Sequence, residues 1–540
     1  MPRDHLASLL VNALPDWLTP LPDAESMRAI DRWAIEERGI DGLELMERAG
    51  AGVARSVERL APNGPVTVLC GKGNNGGDGL VVARLLREAG RDVTVVCTAA
   101  PDDFQGDARA NLERLSGGAP VRLDGSAWSK PEGGDGREVL SAGVLVVDAL
   151  LGTGFQGEPH GAVGEAIAAI NRAEAVVVSV DIPSGVDAST GVVVGAAVSA
   201  SRTVTFHATK PGLWIRPGKA HAGEVERIDI GIPRGAPMAA SIGLIESSIL
   251  AQLPRREADS TKFTSGHVLV AGGSRGLTGA PTMAARASMR AGAGYVTACV
   301  PDSLQPIIAG AGVPELMSKG LPDHNGAHTP DGVAAVIEAS GRGGALALGP
   351  GLGREDSAFA FARALARDAD VAMVLDADGL NAHAGRLGDL TARSAPTVLT
   401  PHAGELGRLL EIDSAEVERD RLRHVRAAAE AAAAVVVLKG DDTLIAASDG
   451  RVAVSRGGSP ALATAGTGDV LTGVIAAMLA QGLDPFTAAA AGVWLHSYAG
   501  REAALRVGAV ESVVASDVIE ALPAARSATQ EQKTPGGHDG

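Results

Sequence analysis

Two glycine-rich segments of different design, Gly71-Lys-Gly-Asn-Asn-Gly-Gly-Asp-Gly79 and Thr464-Ala-Gly-Thr-Gly-Asp469, stand toward opposite ends of this 540-residue chain. Each follows or faces an expected strand and opens an expected helix. There, free backbone N–H groups and the helix dipole can hold phosphate. The two are too distant in sequence for one ordinary domain. The second ends in an acid placed to take a proton from whatever meets the phosphate. Two separate sites for phosphorylated ligands are therefore expected.

The stretches between these loops alternate. Val66–Cys70, Asp92–Cys97, Val144–Leu150, Ala175–Asp181 and Thr203–Ala208 read as strands, with helices over Asp23–Arg38, Gly42–Leu60, Gly77–Ala89, Asp107–Leu115 and Gly161–Asn171. Continuous Val/Leu runs alternating with helices mean a parallel sheet covered on both faces. Asp124–Arg137, rich in Gly, Pro and charge, reads as a surface insertion. Residues 232–264 mix Pro, Gly, Ala and charge without a period, so a linker is expected at 236–264, after a first domain over 1–235. Alternation resumes with strands at His267–Ala271, Tyr295–Val300, Ala345–Leu348, Ala372–Leu375, Thr397–Thr400, Val435–Lys439 and Thr443–Ala447, and helices at Gly279–Ala291 and from Asp469. The second domain is expected over 265–525, and a polar, disordered tail over 526–540.

The formal net charge of −16 argues against nucleic acid or an anionic membrane as partner, since both demand basic surface. Phosphate must then be held by local N–H donors and helix ends. Cys70, Cys97 and Cys299 show no C-x-x-C spacing, which suits a reducing compartment without a disulfide framework. No run of 18 apolar residues occurs, and a cytoplasmic protein is expected.

Gly71, Gly73 and Gly76 satisfy G-x-G-x-x-G between a strand and a helix. The acid that should close the second strand of a redox fingerprint is missing near Thr98, where the nearest acids are Asp102 and Asp103. A plain Rossmann dehydrogenase is disfavoured. Asp148 and Asp181 lie at the carboxyl ends of expected parallel strands, each beside a glycine turn: Asp148-Ala-Leu-Leu-Gly-Thr-Gly154 and Asp181-Ile-Pro-Ser184-Gly185. Ligands of open α/β sheets bind at such ends.

These strings, with Leu45-Met-Glu-Arg-Ala-Gly50, resemble the N-terminal module of bifunctional NAD(P)H-hydrate repair enzymes, the NAD(P)HX epimerases, over roughly residues 20–230. The resemblance implies that Asn74, Asn75, Gly76, Gly77 and Asp78, with Gly152, Thr153, Gly154, Phe155, Gln156, Gly157 and Glu158, line the hydrated coenzyme, and that Asp181 is the acid/base. It also implies a potassium ion among Asn75, Asp148 and Ser184. The chemistry is sensible. A hydroxyl beside a ring nitrogen leaves readily once protonated, and water returning to either face scrambles the stereocentre.

In the C-terminal half, glycine-threonine-glycine at a helix start presents free N–H groups to a transferring phosphoryl group. Asp469 is placed to deprotonate an attacking hydroxyl. This pattern, without a Gly-x-x-x-x-Gly-Lys-Ser/Thr loop, resembles the ribokinase-like fold, and within it the ADP-dependent (S)-NAD(P)H-hydrate dehydratases. The strings Gly272-Gly-Ser-Arg-Gly-Leu-Thr-Gly-Ala280-Pro281, Gly349-Pro-Gly-Leu-Gly353, Asp376-Ala-Asp-Gly-Leu-Asn381 and Thr400-Pro-His402-Ala-Gly-Glu405 carry the likeness over about residues 245–520. It implies hydrate contacts from Ala280, Gly351, His402 and Asp469. Lys439, Gly440, Asp441, Asp442, Thr443 and Gly468 would hold the adenine nucleotide. ADP as co-substrate, magnesium to offset phosphate charge, the substrates NADHX and NADPHX, and a homo-oligomer complete the expectation. The alternative is a ribokinase-like kinase of a small alcohol or vitamin precursor, carrying a non-catalytic N-terminal binding module.

Overall fold

The computed structural model describes residues 14–123, 140, 145–341 and 343–528. Two compact units share the chain. One spans Pro20–Ile242; the other comprises the chain from Gly243 onward together with residues 14–19.

Seven strands form the sheet of the first unit. Their order is Val121–Arg122, Val93–Cys97, Val66–Cys70, Leu145–Ala149, Val176–Val180, Arg202–Phe206 and Glu224–Ile228. Every neighbouring pair is parallel. All five residues of Val66–Cys70 and of Leu145–Ala149 are buried, as a sheet covered on both faces requires. Chain order reverses between these two strands, so the loops leaving them flank a crevice at their carboxyl ends.

The helix expected from Gly77 begins earlier, spanning Asn74–Glu88 with Gly73 as its N-cap. Asn74 and Asn75 are thus part of the helix's first turn. The helix expected over Asp23–Arg38 is divided. Asp23 caps Ala24–Arg32 through the Ser26 N–H at 2.8 Å, and Trp33–Glu37 widens into a π-turn. Glu224–Ile228 was not expected as a strand. Its charges hid an edge strand whose exposed positions, Glu224 and Arg227, are both charged.

The second unit holds an eleven-stranded sheet. Its order is Leu18–Pro20, Ile242–Ile245, Val452–Val454, Leu444–Ala446, Val435–Leu438, Thr397–Leu399, Ala372–Leu375, Ala345–Leu348, His267–Ala271, Tyr295–Pro301 and Met317–Leu321. Strands from Val435–Leu438 to Met317–Leu321 run parallel, and Leu444–Ala446 pairs antiparallel with both of its neighbours. Order reverses between His267–Ala271 and Ala345–Leu348. The α/β class expected for both halves is observed, each a mainly parallel sheet with a reversal of strand order.

The expected linker needs correction: Ile242–Ile245 is a buried strand of the second unit, followed by a 3-10 turn at Ser247–Gln252. Four apolar residues offer no period to read. Arg526 and Ser527, assigned to the tail, close the helix Ala515–Ser527; the rest of that tail and the insertion Asp124–Arg137 lie outside the described residues.

Small side chains set the tightest packing. Thr467–Ala480 crosses Gly279–Arg290 so closely that a Cβ on Gly473 would lie 2.1 Å from the Ala284 carbonyl oxygen. The Ser288 hydroxyl donates to the Gly473 carbonyl at 2.9 Å at that crossing. This contact fixes the helix that carries Asp469.

Candidate active sites

In the first unit a cavity of about 870 Å³ opens at the strand-order reversal. Backbone approach builds its floor. A Cβ on Gly71 would sit 2.0 Å from the Leu150 carbonyl oxygen, and one on Gly76 would sit 1.8 Å from that of Gly71. Gly76→Ala should therefore destabilise this unit by at least about 2 kcal/mol through overpacking, read as a lowered thermal transition; an unchanged transition would refute the close fit.

Of the residues expected around the hydrate, Asn74, Asn75, Asp78, Gly152, Thr153, Gly154, Phe155 and Asp181 line this cavity. Gly76 and Gly77 are buried within the helix. Gln156, Gly157 and Glu158 are exposed and stand outside the lining. The chain turns at Gly157, φ +89°, and Glu158 packs against Gly195.

Asp181 takes φ +65°, a left-handed conformation uncommon for a side-chain-bearing residue. The Thr153 hydroxyl donates to its Oδ2 at 2.6 Å and the Thr205 hydroxyl to its Oδ1 at 3.2 Å. Lys210, which sequence reasoning missed, forms an ion pair with Oδ1. Its Nζ also donates to Thr205 Oγ1 at 2.7 Å and to the Phe206 carbonyl at 3.3 Å. Burial alone would raise the Asp181 pKa, but Lys210 and the hydroxyls outweigh it and hold the carboxyl below its ordinary range. Asp78 goes the other way: burial, then the negative charges of Asp181 and Asp31, push its carboxyl well above the ordinary range, against the pull of Lys210. The Lys210-Pro-Gly string directly after a strand was the available signal, but a lysine that reads as surface gives no hint that it is 1% exposed.

Asp148 and Ser184 do not line the cavity. Asp148 is fully buried, and burial raises its pKa against four hydrogen bonds. Ser184 Oγ donates to Oδ1 at 2.6 Å, Leu150 N–H to Oδ1 at 3.3 Å, Ser179 Oγ to Oδ2 at 2.8 Å and Ser184 N–H to Oδ2 at 2.9 Å. Asn75 Nδ2 donates to the Leu151 carbonyl at 2.8 Å, which lies 3.4 Å from Ser184 Oγ. Carboxylate, hydroxyl and carbonyl oxygens thus gather beside the Asn75 amide group, and such oxygen donors suit a hard cation.

In the second unit the reversal point joins Ala280 and Gly351: a Cβ on Gly351 would lie 3.0 Å from that of Ala280. Gly466, at φ +90°, is the N-cap of Thr467–Ala480 and places Asp469 in the first turn. Burial and the negative charge of Asp376 push Asp469 up to about 7, against the pull of Lys439. Lys439 Nζ pairs with Asp376 Oδ1 at 3.0 Å and Glu405 Oε2 at 3.6 Å. Although burial opposes its charge, these carboxylates and Asp469 hold the ammonium protonated.

Asp376 is the hub that sequence reasoning left without a role. It accepts from Thr400 Oγ1 at 2.8 Å and Thr472 Oγ1 at 2.7 Å as well as from Lys439. His402 caps the helix Ala403–Leu410: its Nδ1 accepts from Gly404 N–H at 3.0 Å and Glu405 N–H at 3.4 Å. Its proton is therefore on Nε2, on a half-exposed ring. Asp442, expected at the nucleotide, is fully buried against Arg421 at 3.1 Å. Arg421 Nη2 also donates to the carbonyls of Leu438, at 3.4 Å, and Lys439, at 3.2 Å. Asp442 therefore braces the loop from beneath. Lys439 lies beside Gly468, 3.7 Å from the position a Cβ would take there, which brings two of the expected nucleotide-binding positions together.

The chain is thus a protein of two α/β units, each with a glycine-rich segment at a helix start and buried carboxylates beyond the carboxyl ends of its parallel strands. Residues 42–212 match the family model described as YjeF-related protein N-terminus, and residues 268–524 match that described as NAD(P)H-hydrate dehydratase. The bifunctional NAD(P)H-hydrate repair enzyme Nnr of Moorella thermoacetica is 42% identical over 514 residues, covering 93% of this chain and 96% of that protein. That of Salinibacter ruber is 40% identical over 529 residues, covering 93% and 95%. A solved ADP/ATP-dependent NAD(P)H-hydrate dehydratase from Bacillus subtilis is 31% identical, with a TM-score of 0.44 over 51% of this chain and 94% of that chain. The chain belongs to the bifunctional NAD(P)H-hydrate repair enzymes.

Proposed function

We infer that this protein restores hydrated nicotinamide coenzymes in two steps, one per unit. The N-terminal site interconverts the R and S hydrates, and the C-terminal site dehydrates the S form with ADP, releasing AMP and phosphate. The observation that carries this reading is the opposite tuning of two carboxylates, one beside each unit's glycine-rich segment. Asp181 is held ionised by Lys210, and Asp469 is poised at about 7 beside the Gly466–Gly468 turn.

At the first site the ring nitrogen's lone pair expels the neighbouring hydroxyl, and the ring becomes a cation. Ionised Asp181 faces that charge and accepts a proton from the water that returns to either face. Asn75, Asp148 and Ser184 would hold a potassium ion, whose charge when bound would counter the buried Asp148. The remaining residues act directly: Thr153 and Thr205 orient Asp181, and Asn74 and Gly152 to Phe155 shape the wall against the nicotinamide.

At the second site Asp469 takes the proton of the hydrate hydroxyl as its oxygen attacks the β-phosphorus of ADP. The bond to AMP breaks, and phosphate then departs from the ring carbon with the nitrogen's assistance. Lys439 and the N–H groups at Gly468 would hold the transferring phosphoryl group, with Ala280, Gly351 and His402 placed for the hydrate. Among the described residues no cluster of three His, Cys, Asp or Glu is arranged to hold a metal, so magnesium would arrive on the nucleotide's own phosphates.

The small-alcohol kinase alternative is disfavoured by matches to repair enzymes over 93% of the chain. No described helix is long and apolar enough to cross a membrane. Three buried thiols support a reducing compartment such as the cytoplasm, and light scattering would test the expected homo-oligomer. The deciding assay incubates a mixture of epimers with the protein, with and without ADP, following reduced nicotinamide by absorbance and the epimer ratio by chromatography. ADP should restore coenzyme from both epimers; no regain with ADP or ATP would overturn the dehydratase reading.

A further inference from the structure

We propose that Asp31 is the general acid of the N-terminal site, the group that protonates the hydroxyl as it leaves the hydrated ring. The inference rests on reading that site as the hydrate epimerase, and it assigns the proton donor which that reading lacks.

The geometry begins with one helix face. Ala24, Met27, Arg28, Asp31 and Ile35 recur at helical spacing, and all five line the 870 Å³ cavity that also holds Asp181 and Lys210. Asp31 is the single carboxylate on that face. The helix widens into the π-turn Trp33–Glu37 two residues later, a distortion common beside functional sites. The Asp31 carboxyl group makes no hydrogen bond or ion pair with the described residues, whereas that of Asp181 is engaged by Thr153, Thr205 and Lys210. An unengaged carboxyl at a cavity wall, beside a fully engaged one, is free to address a ligand.

The charged groups facing Asp31 are Lys210 and Asp181 from the far side of the sheet's end, and Asp78 from the helix Asn74–Glu88; Arg28 shares its own helix. Lys72, Asp103, Asp107 and Arg122 line the cavity elsewhere. These surroundings separate three carboxyl groups by role. Asp78 is pushed well above the ordinary carboxylate range, Asp181 is held below it, and burial pushes Asp31 up to about 6, with Lys210 pulling down and Asp181 pushing up. A proton carrier works best when its pKa lies near the working pH, and Asp31, unengaged on the cavity wall, meets that condition.

The step balances. The Asp31 proton moves to the hydroxyl oxygen, the C–O bond breaks with its electron pair going to that oxygen, and water leaves as the ring nitrogen forms its double bond to carbon. Water then adds to either face and gives its proton to Asp181. Lys210 makes Asp181 a poor home for that proton, which returns to Asp31 through solvent and resets the site.

The test follows epimer exchange by the full-length protein without ADP, across pH, with uncatalysed exchange subtracted. The acid must be protonated, so exchange should fall about tenfold per pH unit above roughly 6. Asp31→Asn should slow exchange by about 10²-fold or more and flatten that limb. Asp31→Glu should keep a titrating limb, and formate should partly restore Asp31→Ala. An Asp31→Asn protein with the parent's rate and limb would overturn the inference alone. So would a loss that neither glutamate nor formate repairs, because that marks a structural role. No exchange by the parent protein would overturn the epimerase reading and this inference with it.

Discussion

Asp469→Asn should lower ADP-dependent dehydration by about 10²- to 10⁴-fold, the usual worth of a positioned general base, with nucleotide affinity changed by no more than about threefold. The amide keeps the size and the helix position but cannot take the hydrate's proton. The pH dependence carries the sign. The base must be ionised, so kcat/KM should rise with pH and level off above about 7, where Asp469 titrates. That limb should vanish in the Asn variant. Lys439 pulls the Asp469 pKa down, so Lys439→Met should move the limb to higher pH. A variant that turns over at the parent's rate at saturation but binds nucleotide poorly would make Asp469 a structural cap.

Lys210→Met should be the most damaging single change in the first unit. Its Nζ is buried with Asp181, and breaking a buried pair by removing one partner costs about 3–5 kcal/mol. For a unit of this size that is a fall of roughly 10 °C in the thermal transition. Linkage gives a second signature. In the parent the Asp181 pKa is depressed, so its contribution is complete above the ordinary carboxylate pKa of about 3.9 and is lost as pH falls through the folded value. Without Lys210, burial should raise that pKa instead, and stability should decline as pH rises. The double variant Lys210→Met with Asp181→Asn removes both charges and should recover most of the stability while epimer exchange stays absent. If exchange returned with stability, the carboxylate would not be catalytic.

The parts legible in advance share one property: their chemistry is local in sequence. The glycine loop before Asn74, the carboxylate ending each strand and the Gly466–Gly468 turn before Asp469 each place a functional group within a few residues of the backbone feature that positions it. The start of the Asn74 helix was misjudged because Gly76 and Gly77 look like loop residues. They are there because Gly71 and Met46 leave no room for a Cβ. The strand Ile242–Ile245 was hidden because four residues, one of them glycine, are too few to show a period, and its neighbours Leu18–Pro20 and Val452–Val454 are remote in sequence.

Lys210, Asp31, Asp376 and Arg421 were the residues that local reading did not reach. Lys210 lies 29 residues from Asp181 and Arg421 lies 21 from Asp442. Asp442 shows the converse error: beside Lys439 it reads as a ligand residue, yet Arg421 turns it inward.

By itself, then, the chain's residue order determined two α/β units, a glycine-rich segment at a helix start in each and the acid beside it, because strand pattern, glycine turns and helix starts are encoded by near neighbours. Which carboxylate is pushed up, which is held down and which is poised between was decided only by tertiary structure. Those states depend on burial and on charges delivered from remote segments, and electrostatic energy follows distance through space, not distance along the chain.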